Sequence, residues 1–528
     1  MMLLIGYPVF WLEMSAFHHP DGHASPLAWI LFSVLTIYTF AARSKSIANF
    51  VTEMKNWFGR CDWFTRIWFL WGTIFVSLIL AIIAYAYFLP PHLIQEFDVL
   101  NYHLTLPKQH LMLNSFHPIP WATADFYLLT VDFALAPYWL ATSLPNKYPQ
   151  FILLIGLICV AANCVDRFGK RNWTNIWMIL LAIFASHHIE IQMGTAMLDL
   201  AICYLFLAAI DSFLNGNIFL AAVEFTFYFW SKSFIPVQTV LVIAVMLSIF
   251  FVLRKLGFCT MSWTLDNAMR DEEVVAYQGQ FKKMSVYFVV LSLWVAGPFV
   301  LKSVCYTGSP LFPFNVGSIT LNQQIDKNSL AWQSLVENAQ LCLDTKDQYG
   351  SGRSVIEFIR HLWLIAVPEE GVNNRYDYPA GLMYLLVIGP FFYLGWRMLA
   401  QRTISILILW VEICWLVWWI GSHQTRFLLI PLVLMLVVVT AYWTLPSKIF
   451  MSGIILALGL EVLSVYGAHH RDLGRLPYDV LRERDRTLLK MAQEHPSSPV
   501  QLNFPDAAFA DFPVDVRDVK SVFVLRQD

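Results

Sequence analysis

The feature that most constrains this chain is a succession of long apolar runs separated by short charged ones. A bilayer core about 30 Å thick is crossed by ~20 mostly apolar helical residues. Thirteen stretches fit that description: 2–17, 26–42, 67–89, 148–166, 173–189, 195–214, 217–233, 235–254, 284–303, 379–396, 403–421, 426–443 and 449–467. A lipid-exposed backbone must satisfy its own polar groups, so runs of this kind fold as helices. The expectation is an all-α polytopic membrane protein with about 13 transmembrane helices. Apolar residues make up 58% of the chain and charged residues 14%, so its 528 residues count spans rather than soluble domains. The first run contains Glu13 and resembles a signal peptide in length, but it lacks a basic start and a small-residue cleavage site. It therefore reads as a membrane element.

Orientation follows from the basic residues of the short loops. Arg43, Lys45, Lys55, Arg60 and Arg66 crowd one loop, and Arg167, Lys170 and Arg171 a second. Arg254, Lys255, Lys282 and Lys283 flank a third, and Arg397 and Arg402 a fourth. All four fall on one side if 124–143, which holds Asp125, Asp132 and Pro137, is an interfacial or re-entrant helix instead of a span. The N-terminus is then cytoplasmic and the C-terminus outside. The expected parts are an N-terminal hairpin with its cytoplasmic loop (1–66), a transmembrane domain (67–467) with outer loops 90–147 and 304–378, and a small outer tail (468–528). The tail mixes a charged helix, Tyr478 to His495, with a strand-like end, Ser521 to Leu525. In the second outer loop, Tyr349-Gly-Ser-Gly-Arg353 reads as a mobile turn able to close over a substrate.

Net charge is −2, with no basic excess, so nucleic acid is not an expected partner. The eight cysteines form no CxxC or Cys/His metal spacing, and most lie inside apolar runs as small buried hydrophobes. Cys305 and Cys342 share the long outer loop, as a disulfide or as two thiols.

Chemistry concentrates where the third run ends. On a helical wheel of residues 92–111, Leu93, Phe97, Leu100, Leu104 and Leu111 gather on one side, and Gln95, Asp98, Tyr102, Thr105 and Gln109 on the other. Such a helix lies along a membrane surface and presents an acid, a phenol and the neighbouring His103 to water. Ionisable residues in or beside spans mark function more often than in soluble proteins. Asp199 and Lys232 sit at the outer ends of their helices, and Arg426 begins another there. Each has a plainer role: Lys232 and Arg426 snorkel to headgroups, or Asp199 pairs with a neighbouring helix. Glu224, Glu412 and Glu461 lie deeper and read as structural hydrogen-bond partners, and His18, His19, His23, His187 and His188 as satisfied interfacial histidines in preference to metal ligands.

Six stretches, in order, resemble bacterial polyprenyl-phosphate-sugar-dependent glycosyltransferases of the GT-C superfamily, relatives of aminoarabinose transferases and protein O-mannosyltransferases. Asp98-Val-Leu-Asn-Tyr-His-Leu-Thr-Leu-Pro107 is similar to that family's first outer-loop motif D-x-L-x-Y-H-L-x-x-P. Asp125-Phe-Tyr-Leu-Leu resembles E-L-L-Y with Asp for Glu, and Met197-Leu-Asp-Leu-Ala201 resembles Y-x-D-L-A without the Tyr. Ser231-Lys-Ser resembles T-K-Y, Thr307-Gly-Ser-Pro-Leu-Phe-Pro-Phe314 resembles T-G-N-P-x-Y-P-F, and Thr425-Arg-Phe-Leu-Leu-Ile-Pro431 resembles T-R-Y-L-L-P with one extra residue. The resemblance covers roughly 67–443, and the substitutions at Asp125 and Ser233 leave a divergent specificity open.

The resemblance implies a GT-C-type bundle in a bacterial inner membrane that moves a sugar from a polyprenyl-phosphate donor to a lipid, glycan or protein acceptor at the outer face. Such a donor is already activated, so no nucleotide site is required, and the chain has no Gly-rich phosphate loop. Lys232 and Arg426 would meet the leaving phosphate. Asp98 would be the base, with Tyr102 and His103 orienting it or the acceptor. Asp125 and Asp199 would steady the sugar or, with Asp98, bind a divalent cation such as Mg or Mn; whether a metal is needed stays open. A transporter and an envelope polysaccharide polymerase or ligase are the alternatives. A transporter would be expected to carry an internal repeat and broken midplane helices, and no repeat is visible.

Overall fold

The computed structural model describes residues 1–473 apart from 18, 20–21, 90, 92–95, 97, 120–121, 143–145, 170–171, 259, 264–270, 320–329, 345–348, 351, 367–378 and 443–446. The tail elements expected at 478–495 and 521–525, and His18, lie outside the described residues.

In chain order the helices are α1 (Met2–Ala16), α2 (Leu27–Arg60), α3 (Trp63–Phe88), a π-helical turn (Val99–His103), α4 (Thr105–Leu113), a 3-10 turn (Thr123–Phe126), α5 (Thr130–Trp139), α6 (Tyr148–Phe168), α7 (Trp173–Phe184), α8 (His187–Glu190), α9 (Asp199–Leu214), α10 (Ile218–Phe229) and α11 (Phe234–Lys255). After a short strand β1 (Thr260–Ser262) come α12 (Asp271–Val295), α13 (Gly297–Thr307), α14 (Leu330–Asp344), α15 (Val355–Leu364) and α16 (Gly381–Ala400). Strand β2 (Thr403–Ser405), α17 (Ile406–Ile420), a second 3-10 turn (Thr425–Leu428), α18 (Leu429–Tyr442) and α19 (Ser447–Leu473) complete it. The only described sheet is the parallel pair β1–β2, in register Thr260 to Thr403, and the structure is about 79% helical. It is an all-α fold.

Six described helices are long and apolar enough to cross a membrane: α3, α6, α11, α16, the 425–442 helix and most of α19. Bent pair α12–α13 makes a seventh. Five of the other expected spans appear as apolar helical stretches of 10–17 residues, namely 2–16, 27–39, 173–184, 218–229 and 406–420, and α9 begins only at Asp199. The separation of core from lipid-facing helices is clear in their burial. All of α18 but Ile430 is buried, against α6, α7, α9, α16 and α17. By contrast α3 exposes Leu70, Trp71, Ile74 and Leu78, and α11 exposes Val240, Leu241, Leu247 and Phe251. Apolar side chains left facing outward along helices of spanning length are what a membrane protein presents to lipid.

The first polar segment corrects an expectation. Among the described residues of 92–111 no single amphipathic surface helix forms: residues 99–103 form a π turn, closed by Leu104 N–H donating to the Val99 carbonyl at 2.9 Å. In α4, Thr105 through Met112 are all buried, polar residues included. The helical wheel assumed a 3.6-residue period that the π turn interrupts, and tertiary packing covers both faces. Helix α5 is buried throughout as well and packs on α1, consistent with the expectation that 124–143 is not a lipid-facing span.

Helix α1 approaches α5 where Gly6 leaves no side chain; a Cβ there would meet the Ala134 carbonyl oxygen at 1.9 Å. Tyr7, on the next position, reaches the break between α12 and α13, bent by 57°. Pro298 supplies no backbone N–H at this break, and the Tyr7 hydroxyl donates to the Val295 carbonyl at 2.6 Å.

Candidate functional site

Four connections converge on one end of the bundle. Helix α3 leads to Asp98 and the π turn, the α8–α9 turn leads to Asp199, the α10–α11 turn carries Lys232, and the α17–α18 turn carries Arg426. Arg426 Nη1 donates to Asp98 Oδ2 at 2.9 Å, and Lys232 Nζ to Asp199 Oδ1 at 2.8 Å. His103 Nδ1 lies 2.5 Å from Asp132 Oδ1, with both side chains buried. Burial acts to raise the Asp98 carboxyl, but Arg426, then His103 and Lys232, outweigh it and hold it below its ordinary value. Asp98 thus stays ionised at neutral pH. Arg426 and His103 lie near enough to Asp199 to act on its charge as well, so the two ion pairs and His103 share one electrostatic neighbourhood.

Local contacts set these positions. Leu128 N–H donates to Ser233 Oγ at 3.2 Å and Thr130 Oγ1 to the Trp230 carbonyl at 2.9 Å, tying the start of α5, with Asp132, to the turn that holds Lys232. The Arg426 turn is held by Trp418 Nε1, which donates to the Gln424 carbonyl at 2.8 Å. Arg353 donates to the Ile420 and Gly421 carbonyls, both at 2.9 Å, satisfying the C-terminal end of α17. Arg353, the last residue of the stretch expected to be a mobile turn, is thereby tied beside the Arg426 turn. Tyr102 packs against His103 with ring centroids 4.2 Å apart and edge-on to Tyr127 at 6.1 Å. Tyr127 shares a hydrogen bond of 3.1 Å with the Cys342 thiol, and Cys305 and Cys342 are not joined to each other.

Asp98, Tyr102, His103, Asp199, Lys232 and Arg426 come together, and Asp125 does not join them. It is buried among three other donors: Lys302 Nζ at 2.7 Å, His110 Nε2 at 2.8 Å and the Ile119 N–H at 2.9 Å. Lys302 also sits 3.9 Å from the centre of the Phe116 ring. Burial would raise the Asp125 carboxyl, but His110 and Lys302 hold it below its ordinary value. This group fastens the segment from His110 to Asp125 to α13. Asp98, Asp125 and Asp199 therefore each engage a different cation, an arrangement that does not favour their sharing one metal ion.

Beside the Asp199–Arg426 end lies a narrow groove between α9, α11, α17 and α18. Its lining mixes polar side chains, Asp199, Arg426, Gln238 and Thr239, with apolar ones: Phe234 against Phe427 and, farther along α11 and α17, Val242, Cys414 and Trp410. Compared with known proteins, the chain matches no family model, no curated protein and no solved structure.

Sequence reasoning had no route to three partners. Asp132 is 29 positions from His103 and Lys302 is 177 from Asp125, so no local pattern links them. Glu461, read as a structural hydrogen-bond partner, lies 2.8 Å from His187 Nδ1, 274 positions away.

Proposed function

We propose that the chain is a glycosyltransferase of the GT-C type that moves a sugar from a polyprenyl-phosphate donor to a hydroxyl-bearing acceptor at the outer face of a bacterial cytoplasmic membrane, with its N-terminus inside. The observation that carries this reading is the joining of two acid–cation pairs, Asp98–Arg426 and Asp199–Lys232, to a mostly apolar groove. A polyprenyl phosphate has that shape, an anion on an apolar chain. The order of the six motif-like stretches supports the same class.

In the reaction, the acceptor oxygen bonds to the anomeric carbon while the bond from that carbon to the phosphate oxygen breaks. The electron pair leaves with the phosphate, whose added charge faces Lys232 and Arg426. Lys carries three N–H donors and Arg five, so such a cation can meet a carboxylate and a phosphate oxygen together. The acceptor proton passes to Asp98, and His103, steadied by Asp132, orients the acceptor. Attack opposite the leaving phosphate inverts the anomeric centre. Asp199 holds Lys232 in place.

Purified protein supplied with a panel of radiolabelled polyprenyl-phosphate sugars and membrane-extracted acceptors tests the class. Transfer with inversion is expected; no transfer from any donor would overturn it. The 57° break between α12 and α13 is the feature that favours a transporter instead. Solute flux in proteoliposomes without sugar transfer would establish that reading.

A further inference from the structure

A second cluster lies at the same end of the bundle, outside the ion-paired group. Helix α8 carries His187 and Glu190, and α19 brings Glu461 and Ser464 against it. His187 Nδ1 is 2.8 Å from Glu461 Oε2 and 3.2 Å from Glu190 Oε2. The Ser464 hydroxyl lies 3.5 Å from both His187 Nδ1 and Glu190 Oε2. Glu190 and Glu461 are buried, whereas the His187 side chain keeps 20% of its surface open.

Two buried carboxylates thus converge on one imidazole nitrogen. That nitrogen carries at most one proton and cannot serve both acids. With both carboxylates ionised the group holds a net charge of −1 even when His187 is protonated, and no described lysine or arginine forms an ion pair with it. Uncompensated buried charge costs several kcal/mol. A divalent cation with a neutral imidazole and two carboxylates brings the sum to zero. Ligands about 2.0–2.1 Å from a tetrahedral ion are ~3.3 Å apart, which the His187–Glu190 separation of 3.2 Å matches and the His187–Glu461 separation of 2.8 Å reaches by opening about half an ångström. Among the described residues this is the group of His, Cys, Asp and Glu whose three donor atoms all lie within 4.8 Å of one another.

We propose that His187, Glu190 and Glu461 bind a divalent transition-metal ion of the zinc class, with a water or the Ser464 hydroxyl in the fourth position. One imidazole and two carboxylates suit zinc and its neighbours. The ion would fasten α8 to α19, and α8 is followed by the turn that leads to Asp199, so the metal braces one wall of the ion-paired site without entering it. Gly381, at the start of α16, fixes the outer wall of the cluster: a Cβ there would meet the His187 Cβ at 2.5 Å.

Metal analysis of the full-length protein in detergent, with zinc and then cobalt as probes, tests this independently of any transferase activity. About one zinc per chain is expected, together with a visible cobalt spectrum of tetrahedral intensity. Glu461→Gln should weaken zinc binding at least ~10-fold, the scale on which even a ligand's hydrogen-bond partner acts. Asp98→Asn should retain the metal. X-ray absorption on the wild-type zinc protein, which needs no variant to fold, should show one imidazole in an otherwise oxygen shell. No stoichiometric metal, as when the two acids merely share a proton, would overturn the proposal. So would equal binding by folded Glu461→Gln, loss in Asp98→Asn, or a shell containing sulfur or two imidazoles.

Discussion

Asp98 and Arg426 illustrate what single residues contribute. Both were legible as candidates, because a charge beside an apolar run is costly unless it has work to do. Their pairing across 328 positions was not, since no local pattern encodes it. Asp98→Asn keeps the shape but removes the proposed base, and the proposed transfer should fall about 10²- to 10⁴-fold in a single-turnover assay. A residual rate near wild type would show that another group takes the proton. The lowered Asp98 value also has a thermodynamic sign. The carboxyl binds its proton more weakly folded than unfolded, so the pair's stabilisation is fully present above the ordinary value of 3.8 and is lost as pH falls through the lower, folded one. The melting-temperature difference between wild type and Arg426→Gln should therefore be flat from about pH 5 to 8 and shrink only in stronger acid. A difference that vanishes near neutrality would contradict the assignment. Asp132 was visible only as an acid in an odd helix. Asp132→Ala leaves His103 buried without its partner and should cost roughly 3–5 kcal/mol, read as a large drop in melting temperature, with Asp132→Asn milder.

At the level of elements, helix existence was written in the apolar runs, and helix roles were not. The π turn at 99–103 and the burial of α4 escaped a wheel drawn at a constant 3.6-residue period. Likewise, α1 read as the weakest span, yet Tyr7 and Phe10 are fully buried and the helix lies against α5. Gly6 makes that approach possible, and an isolated glycine in an apolar run gives no hint of it. Gly6→Ala must push α1 off α5 and should destabilise by about 1–3 kcal/mol in a thermal melt. Tyr7→Phe removes only the hydrogen bond to the bent helix and should cost about 1 kcal/mol. If Gly6→Ala melts like wild type, the close packing of α1 on α5 is wrong.

For the whole molecule, the apolar runs pointed to an all-α polytopic protein, and the described structure is mostly helical with six or seven apolar helices of spanning length. Length and apolarity cannot separate helices that face lipid from apolar helices shielded by other helices. Thirteen runs yield six or seven described helices of spanning length because the others form shorter helices, of 10–17 residues, or, like α9, begin late in their run. The same folding draws four distant connections to one end and sets two acid–cation pairs beside a groove. The central claim is that this composite holds a polyprenyl phosphate. The direct measurement is photo-crosslinking with a polyprenyl phosphate that carries a diazirine on its chain, mapped by peptide mass spectrometry in wild type and in Arg426→Gln. Adducts concentrated on the groove walls of α11 and α17, around Val242 and Cys414, and lost in the variant are the predicted result. Adducts spread over the lipid-facing helices, or unchanged when Arg426 is replaced, would contradict it.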